Sequence, residues 1–303
     1  MIKKLNIFII CFLVIFNISV KSNANDNMDY VIQMKQDILT LMLAYPEYIV
    51  GVEKKDNDKV YIIMKSGKKI LYDDKLNKTH EQKLENPDLQ DMLEQYYPFE
   101  KNTNVMDKTF DPGRARQYDL LGEVYGNSKK AIESNLTHLK YGYKNYQFNK
   151  KNNANTCLEE VLKELIPLSK NRGDIASILY PPSGTYNYRV ISGTGRLSPH
   201  SYGIAIDLKS DRKDYWKWCS QEDGSKRVSE YPKELVDAFE KNNFIWGGKW
   251  GHFDILHFEY RPEIILKARY FTAFNKNNKW YEGAPVEEET TKNYIDIIEK
   301  TLN

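Results

Sequence analysis

Two histidines and an aspartate in this chain have the types and spacing to hold one cation. Residues 198–207 read SPHSYGIAID, and a later block, residues 251–260, reads GHFDILHFEY. His200, Asp207 and His257 offer two imidazole nitrogens and a carboxylate oxygen, with Asp254 beside them as a candidate base. Three such donors leave the fourth tetrahedral position of a zinc ion open. A hydrolytic zinc needs that opening and a structural zinc lacks it.

The local pattern says how these side chains are presented. His200 is expected in a polar turn after Pro199. From Ile204 the chain alternates, with Ile204, Ile206 and Leu208 on one face and Ala205 and Asp207 on the other. Helical spacing also unites residues seven apart, but Gly203 and the β-branched isoleucines favour a strand. Small Ala205 leaves room for a metal beside Asp207. In the second block Ile255, His257 and Glu259 share one strand face, while Leu256, Phe258 and Tyr260 share the other. Asp254 precedes that strand. A lone His–Asp pair fits a surface hydrogen bond equally well; the accompanying Ser198, Gly203, Ala205 and Asp-x-x-His favour zinc.

SPHSYGIAID resembles the Ser-x-His-x-x-Gly-x-Ala-x-Asp block of zinc D-alanyl-D-alanine carboxypeptidases of VanY type. That group is related to the lysostaphin-like peptidases and the zinc domain of hedgehog proteins. DILHFE is similar to the family's second block, with an acidic residue three before the last ligand. The resemblance is most specific over residues 189–263 and extends upstream to about Asp111. It implies one zinc per chain on His200, Asp207 and His257, Asp254 as catalytic base, and Ser198 near the substrate. Many relatives carry Glu where this chain has Asp254. The implied chemistry is water activation by zinc, with Asp254 moving the proton to the departing amine.

A tetrahedral oxyanion needs a second positive partner. Arg189, on an expected strand over residues 186–192, and Arg196, in a glycine-flanked loop, are the candidates, with Arg189 preferred. Arg196 and His252 are assigned to substrate binding with Ser198. His80 and His138 read as ordinary surface histidines. Tyr202, Trp246 and Trp250 suit a peptide groove or a core equally.

The chain divides into a basic and apolar signal segment (1–24), a helix-plus-hairpin accessory module (25–105), a zinc peptidase domain (106–270) and a helical tail (271–303). The signal segment ends at Ser22-Asn23-Ala24 and directs export, with no stable membrane span after cleavage. The oxidising destination permits a bond between Cys157 and Cys219, and the spacing leaves that open. With 303 residues, 41% hydrophobic and 28% charged, the chain suits a globular enzyme, and a net charge of +2 implies no nucleic-acid partner.

Helices are expected over residues 28–44, 88–96, from about 114, from 158, from 232 and over 287–302. A Thr156–Glu159 capping box should open the fourth and Pro167 should close it. Residues 60–64 and 69–72 form an expected hairpin, 149–155 a polar linker, and 244–246 a strand. The expected fold class is α+β, helices on a mainly antiparallel sheet that carries a zinc cleft.

These features predict an exported, periplasmic or secreted peptidase acting on peptidoglycan peptides, foremost a D-alanyl-D-alanine carboxypeptidase. An endopeptidase cutting L-Ala–D-Glu or a cross-bridge, a non-catalytic zinc-bearing binding module, and an exported toxin acting on another peptide are the alternatives.

Overall fold

The computed structural model describes residues 28–272 and 279–302. The signal segment expected over 1–24 lies outside them. Among the described residues no helix is long and apolar enough to cross a membrane.

The fold is α+β, with small antiparallel sheets and helices around them. Helix α1 (28–44) leads into β1 (Ile49–Lys54), β2 (Val60–Met64) and β3 (Lys69–Leu71), a three-stranded meander. The expected hairpin is therefore present, with β1 as an addition the sequence reading missed. Two short helices follow, α2 (His80–Glu85) and α3 (Leu89–Leu93), each opened by a capping box, on Thr79 and Asp88. Next come α4 (Tyr118–Tyr125) and α5 (Lys129–Ser134), then an unanticipated hairpin of β4 (Leu136–Tyr141) and β5 (Lys144–Asn149). His138 lies on β4 and is exposed, as the surface reading expects.

Residues 149–155 are not a linker. Asn149 is fully buried, and its side chain donates to the carbonyls of Tyr125 (3.2 Å) and Tyr202 (2.9 Å). A 3-10 turn with Asn152 and Asn153 in the left-handed region, which asparagine tolerates, starts α6 (Ala154–Ser169) early. Thr156 thus lies inside the helix, and Glu159 accepts from Asn155 (2.9 Å) instead of closing a capping box. Pro167 falls within the last turn of α6, on its exposed face, without ending it.

Then come α7 (Gly173–Leu179), α8 (Pro199–Tyr202), β6 (Ala205–Asp207), α9 (Gln221–Glu230), α10 (Lys233–Lys241), β7 (Phe244–Trp246), β8 (His257–Tyr260), α11 (Pro262–Tyr270) and α12 (Glu289–Leu302). Strand β8 lies between β6 and β7, both antiparallel to it. One face of this sheet is apolar. Phe258 stacks on Phe239 of α10 with ring centroids 3.9 Å apart, and Phe244 meets Phe239 edge-on. The other face carries Asp207, His257 and Glu259, as the alternation at 255–260 predicts.

The segment 28–105 is tied to the rest by buried polar contacts. Asp37 pairs with Lys267 at 2.6 Å, and the Tyr45 hydroxyl donates to Glu263 at 2.6 Å. Both cysteines in the described region, Cys157 and Cys219, are free thiols.

Candidate metal centre

Register puts the second and third donors side by side. Asp207 of β6 is the direct cross-strand partner of His257 on β8. Such neighbours stand about 5 Å apart at Cβ, within reach of a shared ion. The first donor comes from α8, a single turn capped by Ser198, with Pro199 at its first position and Gly203 ending it at φ +68°. His200 therefore sits on a short helix, not in an irregular turn. A Cβ on Gly203 would meet Leu136 Cδ2 at 2.6 Å and the Asn149 nitrogen at 3.2 Å, so this turn needs glycine.

His200 Nε2 lies 3.2 Å from His257 Nδ1 and 3.2 Å from Asp207 Oδ1. His257 Nδ1 is 2.9 Å from Asp207 Oδ1. Bonds of roughly 2.0 to 2.1 Å to a tetrahedral zinc correspond to donor separations of about 3.3 Å, so the donor set fits that ion. Outer partners orient both rings. His200 Nδ1 donates to the Thr185 carbonyl at 2.5 Å, which leaves Nε2 to face the other two donors. His257 Nε2 faces Glu259 at 3.7 Å. Glu259 is wholly buried, clamped by Arg116 through three contacts of 2.6 to 3.1 Å and approached by Arg261 at 3.3 Å. Glu259 was read only as a face-mate of His257; its spacing on β8 was the available signal. Arg116 gave none.

The charges are strongly coupled. Burial works against ionisation of Asp207, yet the two imidazoles hold its carboxyl well below the usual carboxylate range. Burial also disfavours the His257 cation, but Asp207 and Glu259 outweigh it and raise that ring to about 10. Asp254 is pushed up to about 6, by burial first and then by the Asp207 charge, against the pull of His257. Burial opposes ionisation of Glu259, and Arg116 more than offsets it.

All three donors line a cleft of about 490 Å³ together with Asp254, Ser198, Arg189 and His252. Arg189 is not on a strand: only a single bridge, Val190 to Leu197, forms there. Its backbone is instead fixed by Ser201, whose hydroxyl accepts from Arg189 N (2.8 Å) and donates to Arg189 O (2.6 Å). Arg196 is not among the residues that line the cleft, and its Nε is buried without a partner. Ser198 caps α8, accepting from His200 N at 3.3 Å. Trp250 forms cleft wall against His257, while Tyr202 and Trp246 are buried, Trp246 stacking on Tyr231.

Next to this site lies a second polar hub. The buried Asp111 carboxylate accepts from His252 Nδ1 (2.7 Å), His252 N (3.0 Å), His80 Nε2 (2.9 Å) and Arg114 (3.1 Å). His80 is thus partnered and half-buried, contrary to the surface reading. Those four donors saturate the carboxylate, and Arg114 already supplies the balancing positive charge.

Residues 192–260, the stretch holding all three donors and Asp254, match a family model described as D-alanyl-D-alanine carboxypeptidase. No curated protein and no solved structure matches the chain. Over that stretch the chain is similar to the peptidases of the D-alanyl-D-alanine carboxypeptidase family.

Proposed function

We propose that this chain is an exported zinc peptidase that removes terminal D-alanine from peptidoglycan stem peptides. One observation carries the reading: His200 Nε2, His257 Nδ1 and Asp207 Oδ1 converge to within 3.2 Å in a cleft that Asp254 also lines. Zinc held by those donors supplies Lewis-acid polarisation of the scissile carbonyl and of water. Asp254 takes the proton from the attacking water and delivers it to the departing amine as the C–N bond breaks. Arg189 offers its guanidinium to the oxyanion, a role for which its place in the cleft favours it over Arg196. Ser198 and His252 contact the peptide. Residues 25–105 serve as an accessory module to the peptidase region at 106–270, and the signal segment sends the protein to the periplasm or beyond.

Mass spectrometry of cell wall digested by the purified protein, with and without chelator, tests this. Loss of terminal D-alanine that stops on chelation and returns with zinc is the expected result. Internal cuts would redirect the reading to an endopeptidase. A zinc-saturated protein that cuts no wall fragment would leave a binding module.

A further inference from the structure

The cleft continues onto an aromatic shelf that the peptide chemistry does not use. Trp218 is 76% exposed and, among the described residues, is the exposed large apolar side chain that lines the cleft. Tryptophan is ordinarily highly buried, so this exposure calls for a cause. The shelf is not loose chain. Ile255 N donates to Asp214 O (2.7 Å), Trp216 N donates to Phe253 O (3.0 Å), and Tyr215 bridges Asp254. Asp214, wholly buried, is held by Arg227 at 2.8 Å. A tight turn, Trp218 N to Tyr215 O at 2.9 Å, then holds the indole out, with the Tyr215 ring edge-on to it at 5.0 Å. The backbone that carries the candidate base therefore also carries the shelf.

We infer that Trp218 and Tyr215 form a carbohydrate-stacking subsite for the amino-sugar strand to which the scissile peptide is attached. This rests on the peptidase reading above and extends it to the glycan. An exposed indole face is flat and electron-rich, and the C–H face of a pyranose ring lies against such a surface while its hydroxyl edges stay wet. The surroundings suit that ligand. Lys217 and Ser210 line the cleft beside the shelf, and the exposed Lys213–Asp223 pair lies nearby in the chain. Such charge density argues against a protein docking there, since interface cores are depleted of charged residues. An apolar peptide side chain would call for a hollow, and Trp218 presents an open face.

Two measurements decide it. The first follows tryptophan fluorescence while chitotetraose is titrated into the full protein and into Trp218→Ala. The second compares kcat/KM on a disaccharide-pentapeptide with that on the same pentapeptide without sugar. The expected results are saturable binding that Trp218→Ala abolishes, and a glycan preference of roughly five- to tenfold that the variant collapses toward unity. Absence of tetrasaccharide binding by the unaltered protein would overturn the subsite. So would an equal loss on both peptides in Trp218→Ala, which would assign the ring to the peptide. If neither peptide is cut, the peptidase reading fails, and the titration alone still decides the shelf.

Discussion

His257 and Asp207 are register partners across β8 and β6, with Nδ1 and Oδ1 only 2.9 Å apart. Strand pairing thus sets one edge of the donor triangle, and α8 needs only to bring His200 to its third corner. A one-residue slip would turn His257 into the apolar face.

Separate roles for the donors and Asp254 predict separable losses. Asp254→Ala should retain about one zinc per chain while hydrolysis falls at least about a thousandfold, within the range attached to acid–base catalysis. His200→Ala should lose both metal and hydrolysis. Metal analysis beside a peptide assay reads the two; an Asp254→Ala protein with unchanged turnover would remove that residue from the mechanism.

The Arg116–Glu259 clamp predicts a loss of stability and of metal together. Arg116→Met leaves a wholly buried carboxylate short of its main partner, which costs about 3–5 kcal/mol when a buried pair is broken. Arg261 supplies part of the compensation, so the lower end is expected. With Glu259 less well held, zinc affinity should drop roughly 10- to 100-fold. Urea unfolding and competition with a chromogenic chelator measure these effects.

On the proposed mechanism, acid should suppress hydrolysis through Asp254. Its carboxyl, raised to about 6 by burial and the Asp207 charge, acts as a base only when ionised, so kcat/KM should rise with pH through that region. A bound cation favours the carboxylate, which places the acid limb at or below about 6. A limb unchanged in Asp254→Glu and at a much higher pH would point to another group.

The chelated protein should show the opposite sensitivity. The folded-state pKa of His257 is raised to about 10, so its contribution is fully present below the unfolded value of roughly 6.5 and is lost as pH rises through 10. Thermal unfolding of chelated protein should therefore weaken between about pH 7 and 10. Zinc, which displaces that proton, should flatten the dependence over the same range.

Gly203→Ala tests the turn below His200. The left-handed φ and the close approach of Leu136 and Asn149 predict a destabilisation of about 1–3 kcal/mol, with metal affinity lowered because α8 must shift. Full metal affinity in a destabilised variant would show that α8 does not depend on this turn.

The two blocks and their alternation single out His200, Asp207, His257 and Asp254 as candidates, which the structure brings to one cleft, and place His257 and Glu259 on one face. Those properties are local: a strand's period of two and a ligand's chemistry are written in neighbouring residues. The helices at 28–44 and near 232, and the strand at 244–246, were legible for the same reason. What tertiary structure alone decided involves partners far apart in the chain. Arg116 closes on Glu259, Asn149 pins the Gly203 turn, and Asp111 gathers His80, Arg114 and His252. No periodicity encodes such meetings, because each is set by packing that removes polar groups from water and obliges them to find one another. The Thr156 cap is overridden too, since the turn at Asn152 and Asn153 starts α6 at Ala154 and Glu159 accepts from Asn155 instead.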